Sequence, residues 1–147
     1  MGGASTEPER FDFLGFRVSY LHSDRASACS LLEWHARPGG GGPPVHVHDH
    51  TEEGFYVLRG QIALLIDDEE VAGGPGSYTH VRPGQRHTFW NPGDYLTLIS
   101  PPGFEEYIRD LAHGLEQAQS EEEAAALRKR LGESYDVTVL GPPTPPD

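Results

Sequence analysis

Glycine and proline interrupt this chain so often that few of its segments before residue 100 can run far as one element: 18 glycines and 13 prolines fall among 147 residues. Clusters such as Gly73-Gly-Pro-Gly76, Pro83-Gly84 and Asn91-Pro-Gly93 separate short runs rich in β-branched and aromatic residues. Phe11 to Tyr20 alternates as one strand, Ser27 to Ala36 as another, and His22 to Ala26 reads as the turn between them. The segment 37–44, Arg-Pro-Gly-Gly-Gly-Gly-Pro-Pro, cannot be regular structure, because glycine is costly to order and proline lacks a donor. Two apolar stretches, 53–58 and 61–66, flank Arg59-Gly60 and suit a tight hairpin, with Asp67 to Glu70 as a solvated turn. Tyr78 to Val81, His87 to Trp90 and Tyr95 to Ser100 are again short and strand-like. Many short strands with frequent turns predict a mainly β sandwich or barrel.

Beyond Pro101-Pro-Gly103 the period changes. Phe104, Tyr107, Ile108, Leu111 and Leu115 recur at helical spacing, so a helix is expected to pack on the barrel. Ser120 followed by Glu123 offers a capping box for a second helix, with Leu127 and Leu131 on one side and Gly132 as its stop. Val137 to Leu140 is a candidate edge strand, and the tail Gly141 to Asp147 is too rich in proline to fold compactly. The length suits a single domain over 1–147, with a core at about 11–100, helices at about 104–131 and loose ends.

Charge narrows the partners. A formal charge of −12 with Lys129 as the sole lysine argues against nucleic acid, which needs concentrated cations. No apolar run reaches the length of a membrane span, and the first residues lack the basic and hydrophobic regions of a secretory signal, so the expected setting is cytoplasmic with no membrane partner. Cys29 stands alone and reads as a small apolar residue rather than a nucleophile.

The chemistry concentrates in His46, His48, Glu53 and His87, which have the residue types and spacing of a metal centre. In an extended strand the pair in His46-Val47-His48 shares one face, with Val45 and Val47 on the other. Glu53 would arrive from a neighbouring strand and His87 from a distant one. Each histidine taken singly reads first as a core residue satisfied by hydrogen bonds; the four together favour a metal. Three imidazoles and a carboxylate suit one divalent first-row ion, Fe, Ni, Mn, Co, Cu or Zn, over calcium or magnesium. By strand alternation Phe55 and Val57 share the inward face with Glu53, and Phe89 shares it with His87, giving a substrate pocket an apolar surround, although all three also fit ordinary core. His50 and His80 fit solvent exposure or hydrogen bonding around the ligands. Asn91 is a turn former, and Trp34 and Trp90 are expected against helices or a partner subunit.

With these residues in place the sequence resembles the cupin superfamily, specifically its small single-domain kind. Gly40, His46, His48, Glu53 and Gly60 meet every position of the first cupin motif, and Gly76, Gly84, His87 and Asn91 fall in step with the second. One position departs: Arg82 stands where the usual first proline would, with Pro83 immediately after. The resemblance implies a jelly-roll (double-stranded β-helix) barrel followed by C-terminal helices. It also implies a homodimer formed through outer sheets, for which the strand Phe11 to Tyr20 is the candidate contact.

A weaker similarity, carried by the segment Gly84 to Tyr107, is to cupins of the quercetin dioxygenase kind. It implies an oxidoreductase, a metal-dependent dioxygenase acting on a small phenolic or enolisable substrate, with Glu53 as both ligand and catalytic proton acceptor. Two alternatives stand beside it. One is a Lewis-acid isomerase or cyclase of a polyketide or sugar-like molecule, and the other is a non-catalytic module that binds or senses a small molecule.

Overall fold

The computed structural model describes residues 7–36, 42–90 and 92–141. Eleven strands and two helices follow one another as β1 (Glu9–Phe13), β2 (Phe16–His22), β3 (Ser30–Ala36), β4 (Val45–Val47), β5 (Glu52–Arg59), β6 (Ile62–Ile66), β7 (Glu69–Gly73), β8 (Tyr78–Val81), β9 (His87–Trp90), β10 (Asp94–Ser100), α1 (Phe104–Gln117), α2 (Glu121–Ser134) and β11 (Thr138–Gly141). The strands form a six-stranded sheet, β1-β2-β3-β10-β5-β8, and a five-stranded sheet, β11-β4-β9-β6-β7. This is the expected mainly β jelly roll with C-terminal helices. Among the described residues no helix is long and apolar enough to cross a membrane.

Period-two burial explains the layering. In β6 the residues Ile62, Leu64 and Ile66 are buried, and β10 buries Tyr95, Thr97 and Ile99. These rows meet Val18, Leu32, Phe55 and Val57 from the six-stranded sheet in one apolar core. Tyr107, Ile108 and Leu111 of α1 and Leu127 of α2 extend it. At ~25 cal/mol per Å² of apolar surface removed from water, this continuous core is the main favourable term for the fold.

Several sequence expectations change in the structure. Phe11 to Tyr20 is not one strand: β1 and β2 form a hairpin with Phe13 opposite Phe16, turning at Leu14 (φ 50) and Gly15 (φ 85). A two-residue turn of this hand usually begins with Asn, Asp or Gly, so a leucine there masks the signal. Nor do residues 53–58 and 61–66 make a hairpin, since β5 pairs with β10 and β8 whereas β6 pairs with β7 and β9. Arg59-Gly60 is instead a corner between sheets, packed so tightly on the turn before β10 that a Cβ on Gly93 would sit 2.0 Å from the Arg59 carbonyl oxygen. The turn expected over Asp67 to Glu70 is only Asp67-Asp68, both at positive φ, and Glu69 already begins β7.

The second helix does begin at Ser120, whose hydroxyl accepts from Glu123 N at 3.1 Å while the Glu123 carboxylate accepts from Gln119 N at 2.8 Å. It does not stop at Gly132. The helix runs through to Ser134, and glycine is needed because a Cβ would lie 2.9 Å from the returning Val137 carbonyl oxygen. Trp34 faces the core, stacked on Tyr95 at 6.0 Å with Phe16 edge-on at 5.8 Å. Trp90 is half-buried on β9. Gly40, Asn91, most of the loop 37–44 and the proline-rich tail from 142 lie outside the described residues.

Candidate metal centre

His46 lies on β4 directly opposite His87 on β9, which places the two rings 4.2 Å apart. His48 follows the end of β4, with its ring 5.0 Å from that of His46. Glu53 was expected from a neighbouring strand. It belongs instead to β5 in the opposite sheet, so its carboxylate reaches the imidazoles across the sandwich. One ligand atom from each of the four lies within 4.8 Å of the others, and all four residues are buried.

Backbone carbonyls aim the rings. His46 Nδ1 donates to the Pro44 carbonyl at 2.8 Å, His48 Nδ1 to the Asp136 carbonyl at 2.6 Å and His87 Nδ1 to the Gln85 carbonyl at 3.0 Å. A carbonyl only accepts, so each Nδ1 holds the proton and a neutral ring turns its Nε2 lone pair inward. Those lone pairs meet a carboxylate. Glu53 Oε1 lies 2.5 Å from His48 Nε2 and 3.3 Å from His87 Nε2, yet the His48 nitrogen is buried without a well-formed hydrogen bond. Three nitrogen lone pairs and an anionic oxygen converging on one point in a buried site suit a cation between them. Hence the residues present fit a transition-metal ion.

As bare side chains the four resolve the conflict by protonation. Burial, with the neighbouring His87 and His48 rings, pushes His46 down to about 3. Burial also acts to lower His48, but the Glu53 carboxylate, by charge and by contact, outweighs it and holds the ring above the usual histidine value. Glu53 is pulled well below the ordinary glutamate range, since the His48 and His87 rings together overcome a burial that would raise it.

The surrounding support was only partly visible in the sequence. Asp136, in the link from α2 to β11, orients His48 through its carbonyl and organises the next turn through its carboxylate. That carboxylate accepts from Asp49 N, His50 N and Thr51 Oγ1, each at 2.8 Å. Burial would raise Asp136, but these bonds, from Thr51 first, keep its carboxyl below the ordinary aspartate value. Nothing local marks it, because the partner of His48 is 88 residues away and is a backbone oxygen. The departing Arg82 takes part in a closed turn, its N donating to Gln85 Oε1 at 2.8 Å, and Gly84 N in that turn donates to the His48 carbonyl at 2.7 Å. His50 is exposed, and His80 bonds Tyr78 and Glu52 at the surface; neither joins the four.

A cavity of about 90 Å³ opens beside the centre. His46, Glu53 and His87 border it, together with Phe55, Phe89 and Tyr95. Val57 is buried in the core outside that lining. On the helical side the cavity meets Phe104, whose ring lies 4.3 Å from that of His48. Helical periodicity marked Phe104 as inward-facing without showing that it abuts a ligand.

Residues 32–99 match the family described as Cupin domain. The chain is similar to a quercetin 2,3-dioxygenase of Bacillus subtilis, 34% identical over 98 residues, which is 65% of this chain and 29% of that protein. It thus spans less than a third of that curated relative's length. Among solved structures, Streptomyces Pac13, described as a nucleoside dehydratase, superposes with a TM-score of 0.59 at 18% identity over 72% of this chain and 88% of the other. The polyketide cyclase RemF of Streptomyces resistomycificus does so at 0.52 and 24% identity, over 69% and 83%. The two sheets and the four converging side chains agree with the family match: residues 32–99 carry a cupin domain, with a more distant similarity to quercetin dioxygenase.

Proposed function

We propose that this cupin is a metal-dependent dioxygenase for a small phenolic or enolisable organic molecule, with His46, His48, Glu53 and His87 holding one divalent transition-metal ion. The observation that carries this reading is the convergence of three Nε2 atoms and a carboxylate beside an apolar cavity, with every Nδ1 already committed to a carbonyl. A bound Fe, Ni, Mn, Co, Cu or Zn ion supplies Lewis acidity there and, when redox-active, a meeting point for substrate and dioxygen.

The chain's own groups do the rest. Glu53 accepts the substrate hydroxyl proton at a carboxylate oxygen, turning a phenol or enol into its reactive anion. Phe55 and Phe89, packed edge to face with ring centroids 5.7 Å apart, form an apolar wall that keeps water from that anion. Val57 backs Phe55 from within the core. We further assign the chain to the cytoplasm as one domain and a homodimer, with the β1–β2 hairpin at the sheet edge as the contact; light scattering at monomer mass would remove the dimer.

The test is elemental analysis of protein purified without added metal, coupled to an oxygen electrode and a set of flavonols, catechols and diketones. Oxygen uptake that is lost in His48→Ala supports the assignment, and no uptake by metal-loaded protein across the set overturns it. Product mass discriminates further: incorporated oxygen fits the dioxygenase, whereas an unchanged mass fits a Lewis-acid isomerase or cyclase.

A further inference from the structure

The same cavity holds a cation that the ligand quartet does not explain. Arg128 projects from α2 and borders the cavity that His46, Glu53 and His87 also border. Its Nε is buried without a hydrogen-bond partner, and among the described residues the side chain makes no hydrogen bond or ion pair. Arg59, Arg82 and Arg130 also lack a carboxylate partner among the described residues but are exposed, whereas the Arg128 Nε is buried. Arg17, Arg25, Arg86 and Arg109 all pair with carboxylates. Glu53 is the one acid on the cavity wall, and it already faces His48 and His87.

Arg128 is half-buried, and its Nε, held against the apolar wall, loses hydration without recovering it from the protein. Its planar fork matches a carboxylate, which can take two parallel N–H bonds. A phosphate dianion would call for more donors than this wall offers. The Trp34 Nε1 on the same wall is the second buried donor without a partner.

We infer that Arg128 is a specificity-determining residue that pairs with a carboxylate on the substrate, so that the substrate class is a small aromatic or enolisable carboxylic acid. This rests on the proposed function for the oxygen presented to the ligand quartet, but the arginine contact itself needs no metal. The competing account is that the Arg128 stem only covers apolar surface while its head reaches water.

Calorimetric titration of protocatechuate and its neutral amide, each into metal-free and metal-loaded protein, decides between them. The pair differs only in the group offered to Arg128. The acid is expected to bind about tenfold or more tightly than the amide in both forms, the size of a charged hydrogen-bonded contact. Arg128→Gln brings that ratio to about one and leaves the affinity for the amide within about twofold, and Arg128→Lys retains part of the preference. Circular dichroism and metal content matching the unsubstituted protein verify that the variants are folded. A ratio near one in the unsubstituted protein, a ratio that survives Arg128→Gln, or no saturable binding of either compound overturns the proposal. Failure of the dioxygenase reading shows separately, as absent metal or absent oxygen uptake, with the acid-to-amide ratio of metal-free protein still readable.

Discussion

Glu53 and Glu105 are both buried carboxylates, and the difference between their surroundings separates a binding centre from a structural joint. Glu105, in the first turn of α1, is matched to donors. Its Oε2 accepts from Ser23 at 2.8 Å and from Ser30, its Oε1 accepts from Gly103 N at 2.6 Å, and its own carbonyl accepts from the Tyr20 hydroxyl at 2.5 Å. Burial would raise its pKa, but the bonds from Ser30, Gly103 and Ser23 hold it below the ordinary value. Glu53 instead faces ring nitrogens whose protons are engaged elsewhere. One carboxylate is satisfied by hydrogens, whereas the other shares an acceptor-lined hollow suited to a cation. Burial and charge alone would have ranked the two alike.

The comparison breaks most decisively by replacing each acid with a neutral side chain. Glu53→Gln removes the anionic ligand, so metal content measured by mass spectrometry is expected to fall from one ion per chain to near zero, and oxygen uptake with it. Glu105→Ala should leave metal stoichiometry intact. It strands three side-chain or backbone donors and is expected to cost about 2–4 kcal/mol in denaturant unfolding of the metal-loaded protein. Loss of metal from Glu105→Ala, or full retention in Glu53→Gln, would erase the distinction.

Asp136 sharpens the contrast, because it is satisfied as Glu105 is but serves the centre to which Glu53 belongs. Asp136→Ala is expected to weaken metal affinity about 10–100-fold in competition with a chelator while the site still fills at saturation. Acid sharpens it further. Since Glu105 is held below the ordinary glutamate value of 4.5, it contributes stability that is complete above that pH and is lost as pH falls through the depressed value. The stability gap between Glu105→Gln and the unsubstituted protein should therefore be full at neutral pH and shrink below pH 4.5, as read from unfolding curves at each pH. The smallest effect belongs to Ser23→Ala, about 1 kcal/mol from one lost donor to Glu105, with no change in metal content.

The set His46, His48, Glu53 and His87 was legible because residue type and motif position carry each member, and the jelly roll because turn chemistry and alternation are local. What escaped was set by distant partners. Nothing near Arg59-Gly60 says that β6 will pair with β9 rather than β5, and Leu14 gives no hint of the turn it occupies. Asp136 escaped for a different reason, since a carbonyl oxygen carries no residue identity. Phe104 and Arg128 were visible as helix positions, but only the docking of α1 and α2 on the sheets shows that both reach the cavity.

Because the imidazole of His48 is aimed by an oxygen 88 residues downstream, the strands cannot assemble the centre by themselves. With an ion held as proposed, seating the segment after α2 and capturing that ion would be thermodynamically linked, each strengthening the other by the same free energy. Chelation should accordingly be felt far from the ion, as quicker amide exchange and easier protease cutting around the α2–β11 link, and supplying metal should reclose that seam.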